Sequence, residues 1–210
     1  VATLVHAISP QGRVALTEKL QGLAWILVPY AKPGLPLTKE ILARTVAKTQ
    51  VIILENHGLI CAGPTVDAVS DLIKDVEHRL QMPVIAAPTR PQGRPDPGFH
   101  WADQSWLAMD DLASARATAG TYYPDHVVFL GPGLATQDHD GLPPAILKPG
   151  QGVLLRDGAT ASQMAMLQCL QDVLSRVPSD WVLDPLGAAA EADLLNWDAE
   201  KYRQALAART

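Results

Sequence analysis

A histidine placed between two short apolar runs must be given something to bind. Residues 51–54 are a continuous run rich in β-branched side chains, residues 59–62 are a second apolar run, and Glu55-Asn56-His57-Gly58 lies between them. Runs of this length and composition predict two buried strands joined by a turn. An imidazole there cannot reach water freely, so it takes a hydrogen-bond partner or a metal ion. Residue type leaves both open: a satisfied core histidine or a ligand. Glu55 could orient His57 as a carboxylate acceptor or face solvent at a strand end, while Asn56 suits a turn held by bonds to backbone groups. Asp125-His126 is a second acid–imidazole pair. It reads either as a contribution to a site or as a bracket in which Asp125 caps the start of a strand.

The elements that must position these groups follow from periodicity. Gly63 and Pro64 break the second run, Thr65 is a suitable N-cap, and Val66, Val69, Ile73, Val76 and Leu80 then recur at helical spacing. Upstream, the pattern predicts a strand over 1–5 ending at His6, a helix over 14–20, a strand over 24–28, a turn over 30–36 and a helix over 37–48. Residues 83–98 hold Pro83, Pro88, Pro91, Pro95 and Pro97 among small and charged residues, which predicts an extended linker. Beyond it the pattern predicts a helix over 99–120, strands over 127–130, 145–148 and 152–156, a helix from 160 or 161 to 177, and a last helix over 183–208 entered through Asp184-Pro185. Gly131-Pro132-Gly133 and Pro149-Gly150-Gln151-Gly152 follow no nucleotide-binding pattern and read as turns. The division expected is 1–82, a linker over 83–98, and a smaller α/β unit over 99–210.

Composition narrows the class. The chain of 210 residues carries a net charge of −5 with no cluster of Lys and Arg, which argues against a nucleic-acid groove or an anionic membrane surface. Cys61 and Cys169 sit far apart in apolar surroundings, as expected of two reduced thiols in a cytoplasmic protein. No apolar run approaches the roughly 20 residues that a bilayer requires, and no basic region precedes an apolar one as in a signal peptide.

Val-Pro-Tyr-Ala-Lys-Pro-Gly at 28–34, followed by the Asn-His-Gly turn and the helix after Thr65, resembles the class II aldolase/adducin family. The family pattern is an early His-x-His, a Pro-Tyr-x-x-x-Gly turn, and a strand leading into Asn-His-Gly. Here the early segment is Leu4-Val5-His6-Ala7-Ile8-Ser9, so Ile8 stands where the family has its second histidine. The resemblance covers about residues 1–82. It implies an α/β/α sandwich around a mainly antiparallel sheet, with a divalent metal, usually zinc, held by His6 and His57. It also implies Tyr30 as a proton donor to the leaving aldehyde, at a site shared between the subunits of a homo-oligomer. Glu55, His100 and His126 are the candidates to replace the ligand missing at Ile8. The family's upstream half, with its phosphate-binding loop and acidic residue, has no counterpart in this sequence. The expectation is therefore a fragment, or a divergent member that is not a complete aldolase.

In the second half, the Tyr-Pro-Asp-His stretch at 123–126, the Lys-Pro-Gly-Gln-Gly turn at 148–152 and Leu-Leu-Asn-Trp-Asp-Ala-Glu-Lys-Tyr-Arg at 194–203 resemble the C-terminal extension of a longer aldolase-like branch. The function implied is a metal-dependent carbon–carbon lyase acting on a small sugar or sugar phosphate. The alternative is an aldolase-fold binding or scaffold module without a working metal site.

Overall fold

The computed structural model describes residues 1–197 and 202. The chain divides into two units: Val1–Pro83 together with Asp180–Asp184, and Val84–Ser179 with the described chain from Pro185 onward.

The first unit begins with a helix, α1 (Ala2–Ala7), where a strand was expected. A short apolar run does not distinguish a buried strand from a buried helical turn. Here Thr3 to Ala7 are all buried, as in a helix that is enclosed on every side. Helix α2 (Pro10–Lys19) starts at once, with Pro10 in its first turn and the Ser9 hydroxyl accepting from the Gly12 amide at 3.4 Å. Strand β1 (Trp25–Val28), helix α3 (Leu35–Arg44), strands β2 (Val51–Leu54) and β3 (Gly58–Cys61), and helix α4 (Val66–Arg79) follow. The Thr65 hydroxyl caps α4 by accepting from the Ala68 amide at 3.1 Å.

The sheet runs β1-β2-β3, with β1 parallel to β2 and β2 antiparallel to β3. It therefore has one pair of each kind, where a mainly antiparallel sheet was expected. Central β2 is buried on both faces because its side chains alternate. Val51 and Ile53 pack with Ala7, Leu16, Leu20, Val76 and Leu80. Ile52 and Leu54 pack with Val28 and, from α3, Leu37 and Ile41. Each such aliphatic side chain contributes about 1.5–3 kcal/mol by leaving water.

The second unit holds an antiparallel sheet, β4 (Phe99–Trp101), β6 (Gly152–Arg156) and β5 (Ala145–Lys148) in that order. The single helix expected over 99–120 is broken up. After β4 come a 3₁₀ turn at Asp103–Ser105, α5 (Trp106–Met109) and α6 (Asp111–Thr118). The break falls at Asp110, whose backbone is extended and whose carboxylate accepts from the Ala113 amide at 2.8 Å, so it starts a new helix. The strand expected over 127–130 is helix α7 (Pro124–Leu130), opened by Pro124 and closed by Gly131 at φ 91°. Helix α8 (Ala161–Leu174) starts with a reciprocal cap between Thr160 and Gln163.

Helix α9 (Ala188–Leu195) begins after Gly187, and Asp184 does not cap it. The remainder of the helix expected to 208 lies outside the described residues, as does the end of the 194–203 motif. The proline-rich stretch has no regular structure, yet it is tied to the second unit. The Ile85 amide donates to the Ser175 carbonyl at 2.7 Å and the Gln92 amide to the Gln151 carbonyl at 2.8 Å. Among the described residues, no helix is long and apolar enough to cross a membrane.

Candidate functional site

His6 sits on α1 with no exposed surface. Its Nδ1 lies 2.9 Å from the Ala2 carbonyl oxygen, one helical turn back. A carbonyl only accepts, so Nδ1 carries the proton and Nε2 is left with its lone pair. Nε2 is buried and finds no hydrogen-bond partner among the described residues. Burial holds the imidazole below the usual histidine range; the bond to the Ala2 carbonyl opposes this and Lys19 adds to it. The Trp181 ring stands edge-on to the imidazole, 5.5 Å between centroids and 74° between planes.

Ile8 is also wholly buried, but it ends a helix rather than continuing a strand. Two residues along a helix are about 200° apart around the axis. Positions 6 and 8 therefore do not share a face, and a histidine at 8 would not restore a pair in the way that strand alternation suggests.

Three residues downstream of Pro10, Arg13 reaches back across the same corner. Its Nη1 donates to the Ala7 carbonyl at 3.1 Å and its Nη2 to Asp184 Oδ2 at 2.6 Å, while Nε lies 3.4 Å from Glu55 Oε1. Glu55 thus faces a cation, the Arg13 guanidinium. Asn56 occupies the left-handed region at φ 53°, a conformation that asparagine tolerates better than most residues. It is buried, and its side-chain amide donates to the Asp184 backbone carbonyl at 3.0 Å. The Asp184 amide in turn donates to the Ile8 carbonyl at 2.8 Å. Arg13, Trp181 and Asp184 were not anticipated from the sequence, where Asp184 reads as a helix cap.

His57 is exposed at the β2–β3 turn, its amide donating to the Leu54 carbonyl at 3.2 Å. Tyr30 is half-buried in the irregular segment just after β1. The other candidate ligands are each placed elsewhere. His100 is exposed on β4, with Nδ1 3.0 Å from Asp157 Oδ1. His126 is enclosed in α7 against Tyr122 and Tyr123, at 6.3 and 5.4 Å between ring centroids. Neither of its ring nitrogens has a hydrogen-bond partner among the described residues, and burial pushes it down to about 4. Cys61 and Cys169 are free thiols.

Residues 2–84 match the model of the Class II Aldolase and Adducin N-terminal domain. The segment matched is the first unit up to its boundary, without residues 180–184. No curated protein and no solved structure matches the chain.

The family's metal can be tested against this geometry. His6 suits one ligand position. A ligating histidine almost always donates its second ring N–H to a carbonyl, carboxylate or water, and His6 does so toward Ala2, leaving a free lone pair. A zinc centre takes three or four protein donors. Among the described residues no group of three His, Cys, Asp or Glu could hold a metal ion. One donor fits, and the set does not.

Proposed function

We propose that this protein is a class II aldolase-like carbon–carbon lyase acting on a small sugar or sugar phosphate, with His6 as the imidazole on which its site is built. One observation carries the reading. Within a segment that matches the aldolase/adducin domain, a buried histidine has one nitrogen fixed by a backbone carbonyl and the other without a hydrogen-bond partner among the described residues. A divalent cation is the ligand that this donor suits, and donors from a second copy in a homo-oligomer would supply what this chain does not group. Tyr30, half-buried beside the domain's Pro-Tyr turn, is the proposed proton donor to the leaving aldehyde. Cytoplasmic location belongs to the same reading.

The test is retro-aldol cleavage of a panel of ketose and aldose phosphates by the purified full chain, with and without added zinc, in wild type and His6→Gln. Cleavage that zinc stimulates and His6→Gln abolishes supports the reading. A second reading, a binding or scaffold module, is favoured by the absence of a three-donor group among the described residues and by the exposure of His57. It predicts no cleavage and no zinc uptake at any protein concentration.

A further inference from the structure

The second unit holds a cavity of about 380 Å³ between two walls. One wall is the end of α7 with the Gly131-Pro132-Gly133 turn, and the other is the loop that runs from His139 to Pro144. That volume lies in the range of sites for small organic molecules. Every residue lining it belongs to the second unit, so the cavity is independent of the His6 reading.

The outer loop is fixed at several points. The Leu142 amide donates to the His139 carbonyl at 2.9 Å and closes a tight turn. Arg156 grips the loop at both ends. Its guanidinium donates to the Asp138 carboxylate and, from Nε, to the Pro143 carbonyl at 3.2 Å, while its amide donates to the Pro144 carbonyl at 2.8 Å. The same guanidinium lies over the Phe99 ring, 4.5 Å from its centroid. Within this frame Leu142 is held left-handed at φ 49° and is 64% exposed. Leucine is favoured neither by that backbone nor by contact with water. Strain kept in place by the surrounding bonds, beside a cavity, is a mark of a ligand site.

Two residues with polar side chains line the cavity, and the bonds they already make decide what they offer. The Gly141 amide donates to His139 Nδ1 at 3.0 Å, so Nδ1 supplies the lone pair and Nε2 carries the proton. The Thr160 amide donates to Gln163 Oε1 at 2.8 Å, which leaves the Gln163 NH2 group to be offered. Both side chains therefore present N–H donors. Among the described residues that line the cavity, none is Lys, Arg, Asp or Glu. An ionised ligand would lose hydration there without meeting a counter-charge. Pro132, Leu134, Leu142 and Pro143 supply apolar wall.

We propose that this cavity binds an uncharged small molecule carrying oxygen acceptors on an apolar frame, of the class of ketones, esters and lactones. Its oxygens take the N–H groups of His139 Nε2 and the Gln163 amide, and its frame packs against Leu142.

The probe is cyclohexanone, with cyclohexanecarboxylate and cyclohexylammonium as an anion and a cation of similar size. Each is titrated into the nitrogen-labelled full chain and followed by NMR. Cyclohexanone should give saturable shifts at the Gln163 side-chain amide and at the Gly131, Gly133 and Gly141 backbone amides. The two ions should bind more weakly, by roughly tenfold or more. Gln163→Glu keeps an oxygen for the Thr160 amide, so the helix cap survives, but it replaces the N–H donors with a carboxylate. It should weaken cyclohexanone binding roughly tenfold, with circular dichroism unchanged. No saturable shift with cyclohexanone, tighter binding of either ion, or equal affinity in folded Gln163→Glu overturns the proposal. Should Gln163→Glu unfold, the wild type decides. Nuclear Overhauser contacts between the ketone ring and the Leu142 methyl groups support the site, and contacts confined to other residues overturn it.

Discussion

His6 and His126 are both sealed from solvent, yet among the described residues His6 leaves one ring nitrogen without a hydrogen-bond partner and His126 leaves both. His6 lies in α1, whose residues Thr3 to Ala7 are all buried, with Nδ1 committed to Ala2 and the Trp181 ring edge-on to the imidazole. His126 sits inside α7, where Val127, Val128 and Leu130 are buried beside it and Tyr122 and Tyr123 pack near its ring. A backbone carbonyl fixes the tautomer of His6, whereas no hydrogen bond among the described residues fixes that of His126. His6 thus keeps one defined lone pair, on Nε2, while His126 is a neutral ring whose protonation burial opposes.

The largest effect that sharpens this contrast is acid sensitivity of the second unit. His126 falls from 6.5 to about 4 on folding because burial disfavours its charged form. A group whose folded value is depressed contributes stability that is fully present above pH 6.5. That contribution declines as pH falls through the window and is gone below about 4. At about 1.4 kcal/mol per unit it amounts to about 3 kcal/mol. Urea unfolding followed by hydrogen exchange at α7 should show this loss between pH 7 and 4, and His126→Phe should flatten it. An unchanged slope in His126→Phe would mean that His126 is not the titrating group.

Next in size is Gly12→Ala. The added methyl meets the His6 backbone as well as Trp181, and backbone yields poorly. Thermal unfolding should show a cost of about 2 kcal/mol, in the range for overpacking. Arg13→Lys should cost about 1 kcal/mol, because an ammonium cannot serve the Ala7 carbonyl, Asp184 and Glu55 together as the planar fork does. The pair is partly exposed and screened, which keeps the figure low. Smallest is the pair of changes at Asn56. Asn56→Ala loses the bond to Asp184 and keeps the left-handed backbone, whereas Asn56→Gly loses the bond but relieves the strain. Denaturant midpoints should therefore favour glycine over alanine at this position by about 0.5–1 kcal/mol.

What could be read in advance divides along the same line between local and distant. The strands around Glu55-Asn56-His57, the helix after Thr65 and the start of α8 at Thr160 follow from periodicity and caps that lie within a few residues of each other. Residues 1–5 and 127–130 were misassigned because a run of four or five apolar residues fits a strand and a buried helix equally. Pro124 at the start and Gly131 at the end of α7 were the signal for a helix there. The site was less legible. His6 could be singled out through the family pattern, but its helix, its carbonyl bond and its contact with Trp181 could not. Asn56 meets Asp184 across 128 residues and Arg13 meets it across 171. No local pattern encodes a contact at that range, so the Asp184-Pro185 pair was read for its neighbours alone.

The proposal of a lyase site built on His6, its remaining donors supplied by a second copy, is tested most directly by calorimetric titration of the full chain with zinc. The account predicts saturable binding at neutral pH that is lost in His6→Gln and kept in His126→Phe. Wild-type protein that takes up no zinc, or takes it up equally well in His6→Gln, would contradict the account.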